Sequence, residues 1–241
     1  MGESVLPFPL YHGTSTLFLR SIIESGLAGV NPVKDQGILP FAKELLPIVK
    51  KTLGEEESFM VKVDGYERIV NQVKTEGGFN FQHGDTYVSP SIATASRYAC
   101  NSRFGSEIFS YSIEFLEELV RRNIPGVTDD LYTRYRDIFS MLYIYPAPIL
   151  IRVNKISESN LLDEHGNCPK NQILDLKKYK EMKDIPLNVI GQQMNFRIKN
   201  SIKADDLDVF LLCVTKYNQI DPDFNAYPID KNNINLYESH V

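Results

Sequence analysis

Short β-type runs stand among helix-type segments with no regular strand–helix alternation, and this mixture is what most narrows the fold. Ile149–Val153 (ILIRV) is a continuous apolar run of the kind carried by buried strands, and Val209–Val214 (VFLLCV) is a second strand candidate. Phe196–Ile198 precedes it, joined through SIKADDL. A short strand is expected over 7–14, another over 79–89 with an interruption at His83-Gly84-Asp85, and another over Ile108–Ile113. Helices are expected from Ser15 to Ser25, where Gly26 ends the run and Leu27 can pack back, and after Pro90-Ser91. Phe41, Leu45, Leu46, Val49 and Leu53 fall at helical spacing up to Gly54, and a further helix is expected over about 64–75. Phe115–Arg122 and Asp129–Tyr143 complete the helical set, and the tail after Asn218 reads as irregular. A doubly wound sheet would need repeated βαβ units. Their absence predicts an α+β fold.

The 241 residues suit one domain with elaborations: a helical insertion at about 31–76 and a polar surface insertion at about 154–185. The polar stretch has a loop at EHGNCPKN and a basic helix near KKYKEMK. A formal net charge of −5 argues against a dedicated nucleic-acid binder. Cys100, Cys168 and Cys213 are too scattered for a disulfide framework or a zinc site, and His165 beside Cys168 lacks further ligands at suitable spacing. No run approaches the roughly 20 apolar residues of a membrane span, and the N-terminal residues lack the form of a secretory signal. A protein of the cytosol, or an effector delivered to a host cytosol, is expected. G-x-G-x-x-G, P-loop and H-E-x-x-H patterns are absent, and neither Ser15 nor Ser89 has the partners of a hydrolase triad.

Three islands carry chemistry. Tyr11-His12-Gly13-Thr14 opens a strand-to-helix passage closed by Gly26-Leu27. Gly84-Asp85-Thr86-Tyr87-Val88-Ser89 leads to Ala95 and Tyr98-Ala99. Gln193-Met194-Asn195-Phe196-Arg197-Ile198 leads to Ile202 and Leu207. In this order they resemble the ADP-ribosyltransferase superfamily of the diphtheria-toxin and poly-ADP-ribose-polymerase type. The resemblance covers about 60 residues. It implies a split β-sheet core that takes NAD as substrate, with His12 bonding the adenosine ribose and the Gly13 backbone holding the nicotinamide amide. A glycine permits that close approach. Thr14 belongs to the same motif. Tyr87 would stack on the nicotinamide ring, Ser89 would line its edge, and Tyr98 would form a second aromatic wall.

The third island departs from the family pattern. The acidic residue that opens that strand in the family, contacting the nicotinamide ribose, is replaced here by Asn195, with Gln193 two residues earlier. An amide bonds a hydroxyl but brings no negative charge to a cationic sugar, a term worth roughly hundred- to thousand-fold in rate. Three explanations are open: a tolerated amide, loss of activity, or a carboxylate from another segment such as Glu107, Asp85 or Glu164. Arg20, Arg97 and Arg103 are available to phosphates. The implied activity is mono-ADP-ribosylation of a protein acceptor, in the manner of a bacterial effector or toxin acting on a host protein such as ubiquitin. The alternatives are an inactive NAD- or protein-binding member of the fold and an RNA 2′-phosphotransferase.

Overall fold

A computed structural model describes residues 4–31, 35, 37–73, 85–125, 127–181, 187–218 and 222–237. Helices and two antiparallel sheets are mixed, as an α+β chain requires. The chain divides into two compact units rather than one domain with insertions. One comprises 1–30, 85–105 and 146–239, and the other 31–84, 106–145 and 240–241. The segment expected as a free-standing insertion, 31–76, shares its unit with 106–145.

The first unit contains both sheets. β1 (Leu10–Ser15), β3 (Pro148–Val153), β6 (Leu207–Lys216) and β7 (Asp223–Pro228) form a four-stranded sheet in the order β1-β3-β6-β7. β2 (Tyr87–Val88), β4 (Leu161–Leu162) and β5 (Phe196–Ile198) form the second, in the order β2-β5-β4. Phe196–Ile198 and the 207–216 strand are thus in different sheets. After β1, a 3-10 turn over Thr16–Phe18 leads into α1 (Leu19–Ser25). Gly26 ends it at φ +84, and a side chain there would place its Cβ 2.4 Å from the Ile202 carbonyl oxygen. Leu27, 2% exposed, then exchanges backbone bonds with Ile202 at 2.9 Å in each direction.

Helix α4 (Ile92–Asn101) packs on the first sheet through Ala95 and Ala99, against Leu150 and Leu212. Ser91 caps it by accepting the Thr94 N–H at 3.2 Å, which satisfies one of the donors a helix start leaves over. Small residues on the buried face are what let the helix lie this close to the strands.

The second unit is helical: α2 (Ile38–Leu53), α3 (Glu57–Val70) and α5 (Glu107–Arg121). Its mainly aliphatic interior includes Tyr66 tilted against Phe115 at 5.1 Å between centroids, with the Tyr66 hydroxyl 3.0 Å from Ser112 Oγ. Arg122 closes the far end on Glu118 and Glu56.

Five expectations need correction. Ile108–Ile113 is part of α5 and not a strand: Ile108, Phe109, Ser112, Ile113, Leu116 and Leu119 are all buried, the spacing of a helix face. The helix expected over 64–75 starts earlier, at Glu57, and ends at Val70. Asp129–Tyr143 is broken into a π turn (Val127–Leu131), Tyr132–Arg134, Arg136–Ser140 and a 3-10 turn (Met141–Tyr143), with Tyr135 off helical geometry. The tail holds β7, paired with β6 from Phe210 to Lys216. The described part of the expected polar insertion at 154–185 is no mere surface elaboration, because Leu161 and Leu162 pair with Ile198 and Arg197 and close the second sheet. Its basic helix is present as α6 (Lys170–Glu181). Residues 74–75 of the expected helix and 79–84 of the expected strand lie outside the described residues.

Candidate functional site

The two sheets of the first unit touch at one rung and then part. Tyr11 and Ser89 exchange backbone bonds of 2.7 and 2.8 Å, which joins β1 to the end of the β2 segment. Beyond that rung the ladder stops. Where the next partner would be, His12 Nδ1 donates to the Tyr87 carbonyl at 2.7 Å. A side chain thus replaces a backbone donor at the fork, and this ties the first two sequence islands together.

That contact fixes the chemistry of the imidazole. A carbonyl only accepts, so Nδ1 carries the hydrogen, and in the neutral ring Nε2 then presents a lone pair. Burial holds the His12 pKa below its ordinary value of about 6.5, while the bond to Tyr87 works the other way. A neutral, pre-oriented acceptor is what a sugar hydroxyl needs.

The sign of the pH dependence follows. Below about pH 6.5 the unfolded chain takes up the proton that folded His12 refuses. Stability contributed by the part-buried ring is therefore complete above that pH and is lost as pH falls toward the folded value. The melting temperature should drop between pH 7 and pH 5.5, with a linkage slope reduced by up to about one proton in His12→Asn. Equal slopes in wild type and variant would contradict this assignment.

Gly13 lies beneath α4. A Cβ built on it would stand 1.9 Å from the Ala95 carbonyl oxygen, so the position is glycine for packing as well as for any ligand. Thr14 is 2% exposed and its hydroxyl donates to the Gly105 carbonyl at 3.1 Å; it anchors the strand and offers nothing to a ligand. Ser89 is likewise a scaffold residue. It is 3% exposed, with its hydroxyl between the carbonyls of Gly191 (3.1 Å) and Met194 (3.0 Å) and the N–H of Ser91 (3.2 Å). Its role is to strap the approach to β5 behind the fork. Tyr98 is on the exposed side of α4. Arg20 is engaged by Asn235 at 2.7 Å.

Tyr87 is half-buried in β2, opposite Arg197 of β5. Its phenol is shifted upward, first by burial, then by the negative field of Asp85; Arg197 opposes and Glu164 adds to the rise. Arg197 Nη1 donates to Asp85 at 2.9 Å. Asn195, just ahead of β5, donates through Nδ2 to Glu164 Oε1, also at 2.9 Å. All three islands therefore meet in one unit, with the second and third sharing a sheet. Gln193 is exposed and ends a 3-10 turn over Gly191–Gln193 whose first residue, Gly191, is buried. Of the three carboxylates considered, Asp85 and Glu164 act electrostatically on Tyr87, whereas Glu107 starts α5 in the helical unit.

Asn188 escaped sequence reasoning. Its side-chain oxygen accepts from Ser91 Oγ at 3.0 Å and from the Ala93 N–H at 3.1 Å, and Thr94 Oγ1 reaches the Gln192 carbonyl at 3.1 Å. These bonds fasten 188–194 to the start of α4. A single polar residue in a four-residue helix gives no periodic signal, so nothing in the sequence marked it.

Among the described residues no group of His, Cys, Asp and Glu could hold a metal ion, and no helix is long and apolar enough to cross a membrane. Comparison of the chain with protein-family models, with curated proteins and with solved structures gives no significant match.

Proposed function

We propose that the chain is an NAD-dependent mono-ADP-ribosyltransferase that breaks the nicotinamide–ribose bond and passes ADP-ribose to a protein acceptor. The observation that carries this reading is the fork: His12 held on the Tyr87 backbone where the two sheets separate. There a neutral imidazole can accept a ribose hydroxyl. Beside it, a half-buried tyrosine ring offers the nicotinamide a flat face. The islands that resemble the transferases supply the groups that meet, which chance tripeptides scattered over the surface would not do. NAD fits this donor and acceptor set, although the family's carboxylate is missing from β5 itself.

A second reading, an NAD binder that transfers nothing, draws on the neutral Asn195 at the position where the family has its acid. Two assays separate them. Nicotinamide release measured by chromatography, together with labelled NAD in a cell lysate, should give free nicotinamide and a labelled protein band. Saturable binding without either product supports the second reading, and absence of NAD binding at millimolar concentration defeats both.

A further inference from the structure

The Asn195–Glu164 pair suggests how the neutral third motif is compensated. Glu164 stands in a short loop between β4 and α6, and that loop is hydrogen-bonded within itself. The Asp163 carboxylate accepts the N–H groups of His165 at 2.9 Å and Asn167 at 2.7 Å, an Asx-type turn. The Asp163 N–H donates to the Asn167 carbonyl at 2.9 Å, and Gly166 takes the left-handed φ of +87 that closes the bend. β4 then sets the loop beside β5 through the Leu162–Arg197 pairing. The carboxylate carried by this loop meets the one residue that replaces the family's acid.

We infer that Glu164 is the catalytic carboxylate of the site and that Asn195 is its positioning residue, the amide N–H orienting an acid delivered from a different segment. This rests on the NAD reading above. Glu164 also lies within the electrostatic reach of Tyr87, the side of the fork assigned to nicotinamide. In the step, the bond between the ribose anomeric carbon and the nicotinamide nitrogen breaks, and its electron pair leaves with nicotinamide, which departs neutral. A lone pair of the acceptor, water in the hydrolysis assay, forms the new bond to that carbon. The acceptor's proton passes to Glu164 and then to solvent. No oxidation state changes. Until the new bond forms, the negative carboxylate stabilises the cationic sugar, which an amide cannot do.

The test uses the full chain, with NAD affinity from calorimetry, nicotinamide release and circular dichroism measured in parallel. Glu164→Gln keeps shape and hydrogen bonding and should lower kcat roughly hundred- to thousand-fold while the NAD Kd stays within about threefold. Asn195→Ala should lower kcat about tenfold through lost orientation. The decisive variant is the double exchange Glu164→Gln with Asn195→Asp. It preserves an amide–carboxylate pair but moves the charge onto the strand, and it should recover at least about tenfold over Glu164→Gln alone. A purely structural pair would give no such recovery. Turnover by Glu164→Gln within threefold of wild type overturns the inference and leaves the NAD reading intact. Failure of the wild type itself to release nicotinamide overturns both.

Discussion

Gly13→Val is expected to cost at least about 3 kcal/mol of stability and to abolish NAD binding with it. The reason is local and steric. Ala95 belongs to α4, whose small face lies directly on β1, and the Cβ of any side chain at 13 would sit 1.9 Å from the Ala95 carbonyl oxygen and 2.9 Å from the Ala99 nitrogen. Those are backbone atoms of a helix, not the mobile end of a side chain, so relief requires the helix to lift from the sheet. Lifting it would break contact between Ala95, Ala99, Leu150 and Leu212, the buried cluster that joins helix to strands. Overpacking of an interior site commonly costs 1–3 kcal/mol, and here backbone displacement puts the effect at or above the top of that range. Urea denaturation followed by circular dichroism reads it directly. If the glycine served only to let a ligand approach, the denaturation midpoint would stay where it is in wild type.

Tyr87→Ala should raise the NAD Kd by between about 5- and 150-fold, with little change in stability. Loss of one ring from a stack with a planar base costs about 1–3 kcal/mol. The backbone carbonyl that holds His12 remains in place, because the bond is to the peptide and not to the side chain. Tyr87 is only partly buried, so truncation leaves no sealed cavity behind. Tyr87→Phe should retain most of the affinity, which separates stacking from any use of the phenol. An unchanged affinity in Tyr87→Ala would remove this residue from the site.

How much of this was written in the sequence differs from element to element. Helix-boundary chemistry was clear: Gly26 stops α1 at a positive φ, and Ser91 caps the start of α4, both by local rules. Buried strands were clear too, since Ile149–Val153 is apolar at every core position. Ile108–Ile113 misled because IFSYSI mimics the alternation of a strand. The adjacent burial of Ile108 and Phe109, which a strand with one solvated face would not show, exists only once α2 and α3 supply neighbours. β7 was hidden because an edge strand exposed along most of its length has no apolar rhythm. β4 was hidden because two residues are too few to show a period.

The site divides along the same line. His12 and Tyr87 were marked by short motifs, and the structure joins them through a single bond. Thr14 and Ser89, in those same motifs, prove to hold the frame rather than face a ligand. The pairing of Asn195 with Glu164, 31 residues away, depends on β4 closing beside β5, a relation that no local pattern encodes.

The fork between β1 and β2 is proposed to be a dinucleotide site. A crystal structure of the protein soaked with a non-hydrolysable NAD analogue tests it most directly. The nicotinamide ring should lie flat against Tyr87, with an adenosine-ribose hydroxyl donating to His12 Nε2. Density for the analogue on any other surface, with the fork left to solvent, would contradict the account.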